Sequence, residues 1–224
     1  MILRFLVRAL NSHVVDGSHR TPLLLAIAVT VAGCSNLPSA VDPPDIDASD
    51  LAESAMNAYD KNGDGVIDAQ ELDAAPSLRF ALKRIDANKD GKIQSEEIVE
   101  FAQRHWIDRE SGIIRVRCQV TMDRRPLDGA TVTLEPEEFM GGAVAPASGV
   151  TRGGVTNLDV ADEARPHPNA HGVQNGLYLV RISMQRDGKE LIPARYNEQT
   201  TLGCEIADRA AYMPGPLKFA LKSR

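Results

Sequence analysis

The chain changes its hydrophobic rhythm once it is past an apolar leader. Between Asp50 and Trp106 apolar positions recur at helical spacing. Met56 and Tyr59 lie three apart, as do Leu82 and Ile85, and Ile98, Phe101 and Ala102 share one face. Asp50 with Glu53 reads as a capping box opening the first helix. After Trp106 the period drops to two. Ile113–Thr121, Ala130–Leu134, Leu177–Ser183 and Leu217–Leu221 alternate as strands, with Asp128-Gly129 and Asp187-Gly188 as turn signals. Glu135–Asn175 reads as a loop-rich insertion between strands. The pattern predicts an α+β chain of two domains, a helical pair followed by an antiparallel β-sandwich.

The polar gaps of the helical region hold one pattern twice. Asp60-Lys61-Asn62-Gly63-Asp64-Gly65-Val66-Ile67-Asp68-Ala69-Gln70-Glu71 is followed by Asp86-Ala87-Asn88-Lys89-Asp90-Gly91-Lys92-Ile93-Gln94-Ser95-Glu96-Glu97. Both stretches resemble the EF-hand calcium loop at every diagnostic position. The resemblance implies two Ca²⁺ ions. Side-chain oxygens come from Asp60, Asn62 and Asp64, and from Asp86, Asn88 and Asp90. Val66 and Lys92 offer backbone carbonyls. Asp68 and Gln94 act through water, and Glu71 and Glu97 are bidentate. Gly65 and Gly91 take the sharp turn that a Cβ would strain. Ile67 and Ile93 should pair in a short strand contact joining the hands into one lobe. At the ligand positions the first loop has four carboxylates (Asp60, Asp64, Asp68, Glu71) and the second three (Asp86, Asp90, Glu97), with Lys89 and Lys92 nearby, so the first should bind more tightly.

Only 14 residues, Leu72–Ile85, separate the loops. Two full helices do not fit. The exiting helix of the first hand should stop near Ala75, and Pro76 should start the next helix, where its missing N–H costs nothing. Such a compact pair resembles the hands of bacterial extracellular proteins more than those of cytosolic sensors.

Ahead of the hands, Arg4, Arg8 and Arg20 precede or border Pro22–Ala32, an apolar run of eleven residues. That is too short to span a bilayer and fits a signal-peptide core. It ends in Val31-Ala32-Gly33-Cys34, which resembles the lipobox of bacterial lipoproteins. The resemblance implies cleavage before Cys34 and lipid on its thiol, hence a membrane anchor in the cell envelope. Ser35–Asp47 is rich in Pro, Ser and Asp and reads as a flexible tether. The expected divisions are a signal peptide at 1–33, a tether at 34–47, the calcium pair at 48–108 and the sandwich at 112–224.

The net charge is −6, from 25 basic and 31 acidic residues. Residues 1–33 carry three Arg and one Asp, so the chain from Cys34 on stands at −8. That argues against nucleic acid as a partner.

In the strand region, Pro126-Leu127-Asp128-Gly129-Ala130-Thr131-Val132-Thr133-Leu134, Gly176-Leu177-Tyr178-Leu179-Val180-Arg181-Ile182 and Ile192-Pro193-Ala194-Arg195-Tyr196-Asn197 follow in an order similar to carboxypeptidase-regulatory-like, or transthyretin-like, domains. The resemblance implies a sandwich that serves as a structural module or contacts a protein or glycan. Transthyretin-like hydroxyisourate hydrolases end in Tyr-Arg-Gly-Ser, whereas this chain ends Phe219-Ala220-Leu221-Lys222-Ser223-Arg224. No catalytic constellation can be assigned from spacing, so the chain reads as a non-enzyme. His167 and His171 sit four apart, but Pro166, Pro168 and Gly172 place them in a loop, without the carboxylate or third His a metal would need. With Cys34 lipidated, Cys118 and Cys204 remain. They form either a disulfide, stabilising by up to ~4 kcal/mol, or two buried thiols. The function that follows is a calcium-binding, membrane-anchored envelope lipoprotein with a structural or interaction role. The alternative is a calcium-responsive sensor or adaptor binding a protein or glycan.

Overall fold

The computed structural model describes residues 41–109, 111–207 and 215–224. Cys34, the signal segment and the tether up to residue 40 lie outside the described residues. Helix α1 (Ala48–Tyr59) leads into the first loop, and α2 (Pro76–Ile85) into the second, which α3 (Ser95–Ala102) leaves. Strands β1 (Val66–Ile67) and β2 (Ile93–Gln94) join the loops, with Ile67 opposite Ile93 as expected. The first loop is left by a single 3₁₀ turn, Glu71–Ala74, and Pro76 opens α2 at its first position. The helix start differs from expectation. Asp47 caps α1, its carboxylate accepting the N–H groups of Ser49 and Asp50. An Asp one residue ahead of the first turn satisfies those orphan donors better than Asp50, which is already helical.

The end of the expected tether is packed. The Gly112 N–H donates to the Val41 carbonyl at 2.7 Å, and a side chain at Gly112 would run into the backbone of Asp42 and Pro43.

Among the described residues twelve strands follow. They are β3 (Ile113–Ile114), β4 (Val116–Met122), β5 (Arg125–Pro126), β6 (Thr131–Pro136), β7 (Ala147–Val150) and β8 (Val155–Val160). Then come β9 (Val173–Gln174), β10 (Gly176–Ser183), β11 (Gln185–Arg186), β12 (Lys189–Glu190), β13 (Gly203–Ile206) and β14 (Leu217–Leu221). The main sheet runs β13-β10-β6-β7-β8-β4-β14, with β5 paired to β4. It curls as a half-barrel and is antiparallel except where β14 runs parallel to β4. Strand β8 joins its two wings: residues 155–158 bond β4, and residues 159–160 bond β7. The α+β layout, helices first and strands after, is as expected.

Two strand expectations change. The run Ile113–Thr121 is broken, because β3 pairs with β9 while β4 joins the main sheet. Gly172 backs onto the Ile114 carbonyl with no room for a side chain, and that approach makes the crossing possible. The supposed insertion Glu135–Asn175 supplies β7 and β8, the middle of the sheet. Strand β8 alternates, with Thr156, Leu158 and Val160 buried. Strand β7 hides its signal because Gly149 lies against the Asn157 backbone, where a side chain would collide.

Cys118 and Cys204 are buried thiols, and the disulfide alternative is not the one adopted. They sit on β4 and β13, far apart in the strand order. Burial pushes the Cys118 thiol up to about 12.

Helices and sheet form a continuous core. Ala52, Ala55, Leu78, Ala81, Ile98 and Trp106 belong to the same buried cluster as Val120, Leu134, Leu177 and Ile206. Among the described residues no helix is long and apolar enough to cross a membrane.

Candidate metal centre and its anchorage

Each loop is built on carboxylates that gather main-chain N–H groups. Asp60 ends α1, and its Oδ1 accepts from Gly63 and Asp64 at 2.7 and 3.2 Å and its Oδ2 from Gly65 at 2.9 Å. Asp86 does the same for Asp90 and Gly91, at 3.2 and 2.9 Å. The Asn62 and Asn88 side-chain oxygens accept from Asp64 and Asp90, both at 2.8 Å. Asp64 and Asp90 in turn accept from Val66 and Lys92. Gly65 and Gly91 take φ of 85° and 82°, the left-handed turn foreseen for them.

The twelfth residue closes each loop. Glu71 Oε1 accepts from Lys61 and Asn62, and Oε2 from Asp68. Glu97 Oε1 accepts from Ala87 and Asn88, and Oε2 from Gln94. The two loops thus match almost bond for bond. They differ at the ninth position. Asp68 Oδ1 caps the following turn through Gln70 and Glu71, while Gln94 reaches toward Asp90 at 3.5 Å.

Among the described residues no three His, Cys, Asp or Glu side chains converge as a finished metal cage. The donor chemistry nonetheless suits a hard divalent cation. Within a dozen residues each loop offers two or more carboxylates, an amide oxygen and a main-chain carbonyl, and the closing Glu is already held across the loop. Asp60, Asn62, Asp64, Val66, Asp68 and Glu71 would hold one ion. Asp86, Asn88, Asp90, Lys92, Gln94 and Glu97 would hold the other.

A family model of the EF hand matches residues 51–74 and again 79–102. The region carries an EF-hand pair. EF-hand repeats imply calcium binding. No curated protein and no solved structure matches the chain.

Sequence reasoning missed how the EF-hand pair is fastened to the sheet. Two buried carboxylates do it. Glu137, only 2% exposed, follows β6. The Tyr59 hydroxyl donates to its Oε2 at 2.7 Å and the Ser77 hydroxyl to its Oε1 at 2.5 Å. Tyr59 is the last residue of α1, directly ahead of Asp60, and Ser77 lies in the first turn of α2. Glu137 therefore ties the end of one entering helix to the start of the other. Burial raises the Tyr59 phenol well above its usual range, and the neighbouring Glu137 charge adds to this, so the phenol stays a donor. Its ring meets Phe139 edge to face, centroids 6.1 Å apart.

The second carboxylate is Glu205 on β13, fully buried and ion-paired to Arg84. Arg84 is in the last turn of α2, two residues before Asp86, and its guanidinium also lies 5.5 Å over the Phe101 ring of α3. Nearby, Gly203 packs so closely on the Pro76–Ser77 backbone that no side chain fits there. Nothing in the local sequence marks these acids. Glu137 sits in the polar stretch Glu135-Pro136-Glu137-Glu138, which reads as a solvated turn.

His167 and His171 do not meet as a pair. His167 Nδ1 accepts the Asn169 N–H, while His171 Nδ1 lies 2.7 Å from Asp159 Oδ2.

Proposed function

We propose that the chain is a non-enzymatic protein of the bacterial envelope, anchored by lipid on Cys34, whose EF-hand pair takes up two calcium ions and so locks the helical half onto the sheet. The sheet makes the outward contact, with a protein or glycan. One observation carries this. The residues that run into the two loops, Tyr59 and Arg84, are the ones that reach the buried carboxylates Glu137 and Glu205. Ordering a loop fixes the end of its entering helix, and that end is bonded to the sheet.

A calcium sensor would instead need a groove to open, usually rich in Met. Met56 is the single Met between residues 48 and 108, and α2 is already covered by β13. Extracellular calcium modules bind at roughly 10⁻⁴–10⁻³ M. At ten times Kd, each ion contributes about 1.4 kcal/mol to stability. That suits a clamp.

Equilibrium dialysis of the chain from Cys34 onward should recover two Ca²⁺ per molecule at millimolar supply, with helix gained by circular dichroism and no new dye-binding apolar surface. Recovery of no calcium would end the proposal. In cells, Cys34→Ser should move the protein from the membrane to the soluble fraction.

A further inference from the structure

The face of β4, β8 and β14 turned away from the core is basic, in a chain that is acidic overall. Strand β4 buries Val116, Cys118 and Val120 and turns Arg117 outward, with the exposed Arg115 just before it on the same side. Asn157 of β8 stands opposite Arg117, and Lys218 of β14 opposite Gln119. Arg152, in the β7–β8 turn, bridges to Val155 on the same flank. Among the described residues no carboxylate forms an ion pair with Arg115, Arg117, Arg152 or Lys218.

The acid on this face is already engaged. Asp159 accepts from Arg165 at 2.8 Å and from the Gly172 N–H at 2.8 Å, and it holds His171. Its charge is thus matched within the fold, while the four cations face solvent.

Two hollows of about 420 Å³ each meet at Asn157. One lies between Arg115 and His171, the other between Arg117 and Arg152. Arg115, just ahead of β4, lines one hollow, and Arg117 and Arg152 line the other, so the cations stand on both sides of Asn157. That arrangement fits a linear polymer with anionic groups at intervals. The guanidinium fork matches a carboxylate in two parallel hydrogen bonds, and Asn157 can both donate to and accept from hydroxyls. Neither hollow is lined by Phe, Tyr or Trp, so nucleic-acid bases find no stacking platform. The exposed apolar residue here is Val150, too small to seat the face in a lipid surface.

We propose that this face binds an acidic polysaccharide, its carboxylates on Arg115, Arg117 and Arg152 and its hydroxyls on Asn157. This rests on the sheet being the outward-contacting half and is independent of the calcium loops.

The test is calorimetric binding of oligogalacturonate and of its methyl ester to the whole chain from Cys34 at about 0.15 M salt, where only close charges act strongly. The acid should bind at least about tenfold more tightly than the ester. Arg115→Ala with Arg117→Ala should remove that margin. Arg104→Ala, on the helical half, should leave it unchanged. Equal binding of acid and ester, no binding of either, no loss in the arginine variant, or tighter binding to polyglutamate or phosphatidylglycerol vesicles would overturn the proposal. Calcium titration of the same variants separates the two claims. Lost polysaccharide binding with calcium uptake intact supports this face, and lost calcium uptake in the parent chain counts against the clamp alone.

Discussion

The two EF hands share a loop and differ in how they are held. The first hand enters through α1, leaves through one 3₁₀ turn, and is fixed to the sheet by a neutral donor, the Tyr59 hydroxyl on Glu137. The second enters through α2, leaves through α3, and is fixed by a charged donor, Arg84 on the buried Glu205. The first has the richer set of carboxylate ligands and the second the charged, fully buried anchor. Loop chemistry and helix anchorage are therefore separable properties, one written locally and the other supplied by the sheet.

The largest effect should come from the charged anchor. Arg84→Ala takes the guanidinium from a fully buried carboxylate, and breaking such a pair costs about 3–5 kcal/mol. Urea denaturation at saturating calcium should show the loss, and a change under 1 kcal/mol, a threshold set well below that range, would mean that β13 does not hold the second hand. The neutral anchor should matter less. Glu137→Gln keeps the shape but weakens two hydrogen bonds to a charged acceptor, a loss of about 1–3 kcal/mol. Because Glu137 touches both entering helices, the variant should also weaken calcium uptake at both loops. An unchanged titration would confine Glu137 to folding.

The loops themselves give a finer contrast. Glu71→Gln should cost more calcium affinity than Glu97→Gln, since the first site has four carboxylates and the second three. Calorimetry showing the reverse order would make the anchor, not the charge count, the stronger influence. The smallest effect belongs to Asp159. Partial burial alone would raise its pKa, but hydrogen bonds from His171 and Gly172 and the Arg165 charge outweigh that and hold it below the usual range. A carboxyl depressed in the folded state contributes stability that is complete above its unfolded value and is lost as pH falls through the folded one. Asp159→Asn should therefore lower stability slightly at neutral pH, leave it nearly unchanged well below about pH 4 where the carboxyl is protonated anyway, and so flatten the acid limb of a stability profile.

Much of the helical half was legible because its information is local. The spacing Asp60 to Glu71 sets a loop, Pro76 sets a helix start, and Ile67 and Ile93 find each other because both loops present them alike. The sheet was legible only where a strand buries one face of ordinary side chains, as in β10 and β14. Strand β7 was not, because its middle residue is Gly149, chosen by contact with a neighbouring backbone. Nor was the break after Ile114 legible, since an unbroken alternation says nothing about a change of partner. The thiol state of Cys118 and Cys204 could not be read from two strand cysteines, because it depends on which strands become neighbours.

By itself, then, the chain determined two oxygen-rich loops, the helices that flank them and an α+β order, since each follows from residues within a turn or two of one another. The tertiary structure alone decided that Glu137 and Glu205 are buried anchors and that Arg115, Arg117, Arg152 and Lys218 share a face. Whether a charge is matched, buried or left to solvent depends on distance in space, and a sequence lists its charges only in order along the chain.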